Sequence, residues 1–289
     1  LIRSQGGTIS GSSSVVQLDA WNWEDATILA NDGVHINWPT STQRMTDNRA
    51  IQEKSNDYVA KRQELYTFFE AAASYASTKK PEKDLRYEAM TGCFREKKRV
   101  YFHADDLQQL NDIIDFVHYF KLSAPVIVGG YDAALIARKL KDAKIAVMLY
   151  RPHSLPKREE EAVNQPYSTA FKLQEEGVLF CIQNEGDMEA MNARNLPFLA
   201  GTAHAYGLTE EQAIAAVSLN ACKIIGIDKE YGSIETGKSA TLFVSDGNAL
   251  DMRTNHVSFA LIDGKIVDLD NKQKDLYIKY KQKYQQGIK

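Results

Sequence analysis

The stretch RVYFHADDLQQLNDIIDFV, residues 99–117, passes from an apolar run ending at His103, through two carboxylates, into a segment whose apolar residues recur at helical spacing. It predicts a strand, a short polar loop and an amphipathic helix over 107–120. The same unit recurs downstream. APVIVGG (124–130) precedes a helix over 132–140, and KIAVMLY (144–150) precedes a loop with Pro152 and Pro156. A helix over 167–176 then leads through Gly177 to VLFCIQ (178–183), and another helix is expected from Met188. Four apolar strands alternating with helices of this length predict a parallel sheet with crossover helices. Strands that are apolar on both faces fit a sheet covered on both sides.

The flanking segments differ. Residues 1–40 are rich in Gly, Ser and Thr; SVVQLDAWNW and GVHINW have strand character, and Asn31-Asp32-Gly33 between them predicts a tight turn. This hairpin is expected to decorate a larger fold rather than form part of its core. Trp21, Trp23 and Trp38 are expected to fill core, the other reading being a lid or a partner surface. A long helix is expected over 48–77, then a break at KKPEKD and a shorter helix. In GLTEEQAIAAVSLNACKIIGI, Thr209 and Gln212 have the spacing of a capping box, and Gly226 ends the helix. SATLFVSDG and HVSFALIDGKIVDL alternate like half-buried antiparallel strands, with a hairpin turn at 262–265, and a charged helix follows from Asn271. The expected division is a barrel-like part over 1–236, small-sheet strands over 237–270 and a terminal helix over 271–289.

Bulk properties narrow the function classes. The chain has 289 residues, 44% hydrophobic and 25% charged, with net charge −3. That balance argues against a general nucleic-acid binder, which concentrates basic charge. The longest apolar runs are too short to span a bilayer. Cys93, Cys181 and Cys222 are odd in number and widely spaced, so neither a disulfide framework nor a structural zinc motif is expected. The first residue is Leu1 and no signal-peptide pattern follows, so residues upstream are expected to be missing and the compartment is not legible.

The series GLTEEQAIAAVSLNACKIIGI, YGSIETGKSATLFVSDGNAL and FALIDGKIVDL resembles the C-terminal region of the amidohydrolase superfamily, in particular its imidazolonepropionase-like members. Asn220-Ala221-Cys222 stands where that family has Asn-Pro-Ala. The resemblance implies part of a (β/α)8 barrel with a small β-sandwich, a site at the C-terminal ends of the strands, and hydrolysis of non-peptide, cyclic amide-type C–N bonds. It also implies one or two divalent metal ions, zinc among them, that activate water. The family's ligands are a His-x-His pair on strand one, Lys or Glu on strand four, His on strands five and six, and Asp on strand eight.

Against that pattern the ligand set is thin. No His-x-His occurs; the six histidines are His35, His103, His118, His153, His204 and His256. The first-strand pair is expected upstream of Leu1. His103 matches the fifth-strand position and is the candidate metal ligand and catalytic group; its structural reading is a strand-end histidine bonded to a carbonyl or to Asp105. Gly129 or Gly130 stands where the sixth-strand histidine is expected, as a close approach to substrate or as a plain strand-to-helix turn. Gln183 or Asn184 stands at the eighth-strand position, with Glu185 or Asp187 as a stand-in carboxylate. Glu185 is the candidate catalytic base and Asn184 a substrate contact, while a solvated loop carboxylate is the plain reading. His153 is a further catalytic candidate and Tyr150 and Arg151 are substrate contacts in the loop after strand seven, although an aromatic at a strand end packs more often than it binds. His35 is assigned to the N-terminal hairpin, and His118 and His204 to helix surfaces.

The expectation is therefore a relative of small-molecule hydrolases with a degenerate metal site: no two-metal centre, no metal at high occupancy and no hydrolase activity of this chain on its own. A non-catalytic binding or scaffold relative is the alternative. A metal-independent barrel enzyme using His103, Asp105 and His153 is a third reading. Uncovered sheet edges point to a homodimer as one way of covering them.

Overall fold

Parallel strands whose side chains alternate between two faces organise the chain. The structure is a computed structural model, and it describes residues 1–44, 52–54, 57–79, 81–184 and 189–284. Its main sheet has seven strands in the order β1 (Ile2–Arg3), β2 (Ile9–Val16), β3 (Thr27–Asn37), β6 (Arg99–Ala104), β7 (Pro125–Gly129), β8 (Ala146–Leu149) and β9 (Phe180–Ile182). β2 is antiparallel to both of its neighbours, and β3, β6, β7, β8 and β9 are parallel. Between them lie α1 (Trp23–Ala26), the paired short strands β4 (Thr42–Arg44) and β5 (Gln52–Lys54), α2 (Tyr58–Ser77) and α3 (Leu85–Arg95). The crossovers use α4 (Leu107–Phe120), a 3-10 turn leading into α5 (Ala137–Asp142), and α6 (Gln165–Glu176). This curled sheet with helices on its outer face is part of a (β/α)8 barrel.

The outer face carries the larger core. Val100, Phe102, Ile127, Val147 and Phe180 pack on α2, α4 and α6 through Leu65, Phe69, Ile113, Phe116 and Leu173. Phe116 is the hub of an aromatic cluster, with edge contacts to Trp38, Tyr66, Phe69 and Phe102 at ring separations of 4.8–5.8 Å. The inner face buries Tyr101, Val126, Val128, Met148 and Cys181 against Ile224. Ile224 lies on α9 (Leu219–Ile225), which follows α7 (Leu196–Ala205) and α8 (Glu210–Val217).

The N-terminal expectations are corrected. Asn31-Asp32-Gly33 is not a turn: β3 runs through it, and the connection from β2 is made by residues 17–26. The motif does mark a local irregularity, because Asn31 has φ +51° and the β2–β3 register shifts there. Gly33 is required for a different reason. A Cβ there would lie 2.5 Å from the Tyr101 ring and 2.9 Å from the Arg99 carbonyl. The hairpin is not a decoration either, since its second strand is a parallel strand of the main sheet. Of the three tryptophans only Trp38 is core; Trp21 and Trp23 are 94% and 75% exposed. The long helix starts at Tyr58, with Gln52–Lys54 extended instead. Met188 lies outside the described residues, and a 3-10 segment, Glu189–Asn195, precedes α7.

The C-terminal caps and hairpin turn fall where the sequence places them, with one break in a helix. Thr209 and Gln212 form the capping box of α8, and Gly226 caps α9 at φ +73°. The expected single helix is broken at Ser218, whose φ and ψ of −133° and −92° are not helical. β10 (Leu242–Ser245), β11 (Val257–Ile262) and β12 (Lys265–Ile266) form a small antiparallel sheet. The turn joining β11 and β12 places Asp263 and Gly264 at φ +49° and +80°, as a two-residue hairpin turn needs. α10 (Lys272–Lys283) begins at an Asn271 cap. No described helix is long and apolar enough to cross a membrane.

Phe116→Ala is expected to destabilise the chain by about 3–5 kcal/mol, through lost burial and a residual cavity. Leu135→Ala, at a 59% exposed position, should stay within about 0.5 kcal/mol. Denaturant unfolding of the two variants checks both.

Candidate functional site at the strand tips

The site begins with a register. β3 and β6 pair so that His35 lies beside Tyr101 and Asn37 beside His103. Neighbouring strands are about 4.8 Å apart, and the His35 and Tyr101 rings stack at 4.4 Å with an interplanar angle of 12°. Two residues further along β6, and so on the same face, His103 turns back over them. His35 Nδ1 lies 2.9 Å from His103 Nε2, a hydrogen-bonding distance bridging 68 residues of sequence.

A buried ionic shelf holds this stack. The Tyr101 hydroxyl donates to Asp32 Oδ2 at 2.5 Å, and Arg99 Nη1 pairs with Asp32 Oδ1 at 2.6 Å. Arg99 Nε also donates to the Ile224 carbonyl at 2.5 Å, tying β6 to α9. The Asp32 side chain is fully buried, so its charge depends on these two partners. Burial, and then the charge of Asp32, push the Tyr101 hydroxyl up, which keeps it a donor. His35 is 1% exposed; burial above all, then neighbouring His103 and Arg3, hold it neutral with a pKa pulled down to about 3. Among the described residues His35 Nε2 is buried without a hydrogen-bond partner.

Two adjoining cavities open here. One, of about 580 Å³, is lined by His35, His103, Met148, Cys181, Gln183 and Asn184, with Arg3 at its rim. The other, of about 520 Å³, is lined by His103, Trp38, Asp105, Tyr150, Lys157 and Gln183. His103, Val128 and Gln183 belong to both, so the half-buried His103 stands on the partition. Trp38 is fixed by its Nε1–H to the Tyr58 hydroxyl at 3.1 Å, and Tyr58 donates to Asp112 at 2.6 Å. Gln109 ties the exits of the two strands together. Its Oε1 accepts from the N–H groups of Asp105 and Asp106, and its Nε2 donates to the Pro39 carbonyl at 2.7 Å.

The segment 150–164 straps across the tips of β6 and β7. Lys157 pairs with Asp105 at 2.8 Å and lies over the Tyr131 ring. Arg158 pairs with the buried Asp132, and with Glu161 at 2.5 Å. The Tyr131 hydroxyl donates to Glu161 at 2.5 Å. Burial alone would raise Glu161, but the Tyr131 hydroxyl, the N–H groups of Arg158 and Lys157 and the Arg158 charge together hold it below its ordinary 4.5.

The structure brings some sequence candidates together and separates others. His103, Tyr150 and Asn184 line the joined cavities. Gly129 also lines the second, and a Cβ there would meet Asp105 Oδ1 at 2.6 Å. A Cβ on Gly130 would instead press on Val147 and Ala133 in the outer core. The residue registered with His103 on β7 is Val128. Arg151 lies over the Tyr150 ring and lines a third, smaller cavity under the strap. His153 is drawn to α7, with Nε2 2.5 Å from Thr202 Oγ1, and lines neither of the joined cavities. Glu185 and Asp187 lie outside the described residues. His35 is the residue that sequence reading passed over. Its signal was a polar side chain alternating with apolar ones in GVHINW, as an inward-facing strand position does.

A curled parallel sheet with polar groups at its C-terminal tips is the architecture of part of a (β/α)8 barrel, the fold class to which this chain belongs. The chain belongs to the amidohydrolase family, whose sequence model matches residues 82–269. An imidazolonepropionase of Symbiobacterium thermophilum is 29% identical over 146 residues, covering 50% of this chain and 33% of that protein. One from Alkaliphilus oremlandii is 30% identical over 122 residues, 40% of this chain and 29% of that protein. The matches thus span about a third of the length of these curated relatives. The solved structure of an amidohydrolase from Thermotoga maritima shares the fold, with a TM-score of 0.68 at 24% identity over 90% of this chain and 69% of that one.

The family generally uses a divalent metal ion. Among the described residues no three or more His, Cys, Asp or Glu side chains converge as a metal would need. A catalytic zinc takes three protein ligands, whereas here two imidazoles meet and their nearest nitrogens are spent on each other. The described residues do not fit a complete metal centre.

Asp32→Ala is expected to cost about 3–5 kcal/mol, because it strands the Arg99 charge and the Tyr101 hydroxyl; thermal or denaturant unfolding measures this. Glu161 gives a pH signature. A carboxylate held low in the fold contributes stability above its unfolded pKa and loses it as pH falls. Strap protection in hydrogen exchange should therefore weaken on acidification below about pH 4.5. Glu161→Gln should lose that dependence and cost about 2 kcal/mol.

Proposed function

We propose that this chain binds a small molecule containing a cyclic amide-type C–N bond in the joined strand-tip cavities, and that the activity of its lineage is hydrolysis of that bond. The observation that carries the reading is the placement of His103 on the partition between the two cavities, at a parallel-strand tip. Relatives named imidazolonepropionase support the substrate class, since that name refers to a ring compound. His103 is the proposed acid–base group. Tyr150, Asn184 and the backbone at Gly129 are the proposed substrate contacts. The apolar Val128 and Met148 beside them suit the flat body of a heterocycle.

The metal centre is proposed to be reduced from the family's usual set, with no two-metal cluster. The direct contact between the two imidazoles also favours a second reading, a binding module that has lost hydrolysis. Calorimetric titration with hydantoin and imidazolone ring compounds, alongside optical detection of ring opening, separates these. Saturable binding that weakens roughly tenfold in His103→Ala, the worth of about one hydrogen bond, is expected. No binding, or binding equal in His103→Ala, would sink the proposal. Ring opening identifies the hydrolase, and binding without it identifies the module. Elemental analysis should find well under one metal ion per chain. A full equivalent lost in His103→Ala would overturn the reduced centre.

A further inference from the structure

The His35–His103 contact can be assigned a direction. His35 Nδ1 and His103 Nε2 share one proton between them at 2.9 Å. The other nitrogen of His35, Nε2, is buried and has no hydrogen-bond partner among the described residues. If His103 donated, or if His35 Nδ1 ligated a metal, Nε2 would have to carry the remaining proton and would be a buried N–H with nothing to receive it. Orphaned buried donors are rarer than under-used acceptors. Metal-bound histidines, moreover, almost always give their second N–H to a carboxylate, carbonyl or water, and His35 has no such group. The tautomer that fits is the one with the proton on Nδ1 and a bare Nε2.

We propose that His35 is a built-in occupant of the coordination position at His103: it donates its Nδ1 proton to His103 Nε2, fixes the proton of neutral His103 on Nδ1, and keeps a divalent cation off Nε2. This rests on the reading of His103 as the fifth-strand position of the family. The scaffold around His35 suits the task. The ring lies flat on Tyr101, and Tyr101 is held by Asp32, which Arg99 holds in turn. Gly33 leaves the Tyr101 ring room against β3, since a Cβ there would lie 2.5 Å from it. The ring is thus locked against the rotation that would release His103. His35 is a positioning residue here, acting through His103 rather than on a substrate.

Two-bond proton–nitrogen correlation spectra of the nitrogen-15-labelled wild-type chain, recorded during titration with zinc chloride alone, test this without any variant. The expected spectrum shows both rings neutral, each protonated on Nδ1, with signals that zinc leaves in place. In His35→Phe, which keeps a flat ring on Tyr101 but cannot donate, zinc should bind the His103 ring roughly tenfold more tightly than in wild type. Should His35→Phe fail to fold, the wild-type spectra decide alone. An Nε2-protonated His103, movement of both rings by zinc in wild type, or weaker zinc binding in His35→Phe than in wild type would overturn the proposal. The ring-compound titration is independent: zinc shifting both rings while ring compounds still bind refutes only the occupant. Loss of ring-compound binding with the tautomers as expected refutes only the substrate reading.

Discussion

Parallel pairing of β3 with β6 is the constraint on which the site depends. It carries two side chains of β3 into contact with β6 at once: Asp32 with Arg99 and Tyr101, and His35 with Tyr101 and His103. A slip of one residue would turn the whole of β3 to the opposite face. Asp32 would then be a buried charge without a cation, and Val34 and Ile36 would leave the outer core. Hydrophobic patterning and the buried ion pair therefore select the same register, and neither alone would be as selective. A buried pair of this kind adds little net stability compared with apolar packing, but breaking half of it is costly. Its evident use here is to hold an aromatic shelf beneath two imidazoles.

The opposite rim is built by different means. Positive φ at Gly129 and Gly130, at +106° and +69°, lets β7 turn under the strap, and the Gly130 N–H reaches the Ala104 carbonyl at 2.8 Å. The strap is then fastened by charge, through Lys157 to Asp105 and Arg158 to Asp132. The first pair is well exposed and so worth little. The second has a fully buried carboxylate, so breaking it would be the costlier of the two. One side of the cavity is thus rigid sheet and the other a loop whose hold rests on a few ionic contacts. That division suits a site that must admit and release a small molecule.

Membership of the amidohydrolase family settles the architecture, and the chemistry has to be argued from the site. In this chain His103 stands at a parallel-strand tip, and the side chain that meets it is another imidazole, that of His35.

Local chemistry was legible in the sequence. The alternation of apolar strands with amphipathic helices, the Thr209–Gln212 capping box, the hairpin at Asp263-Gly264 and the strand-end position of His103 are each decided by residues within a few positions of one another. Asn31-Asp32-Gly33 shows where that locality misleads. The motif has turn chemistry, and Asn31 does take a positive φ, yet Asp32 and Gly33 serve a strand because their partners, Arg99 and Tyr101, come from 66 or more residues away. The His35–His103 contact belongs to the same class, as does the loss of His153 to Thr202. Which side chains meet across a sheet depends on strand order and register, and these are set by burial summed over the whole core, a quantity that no short stretch of sequence contains.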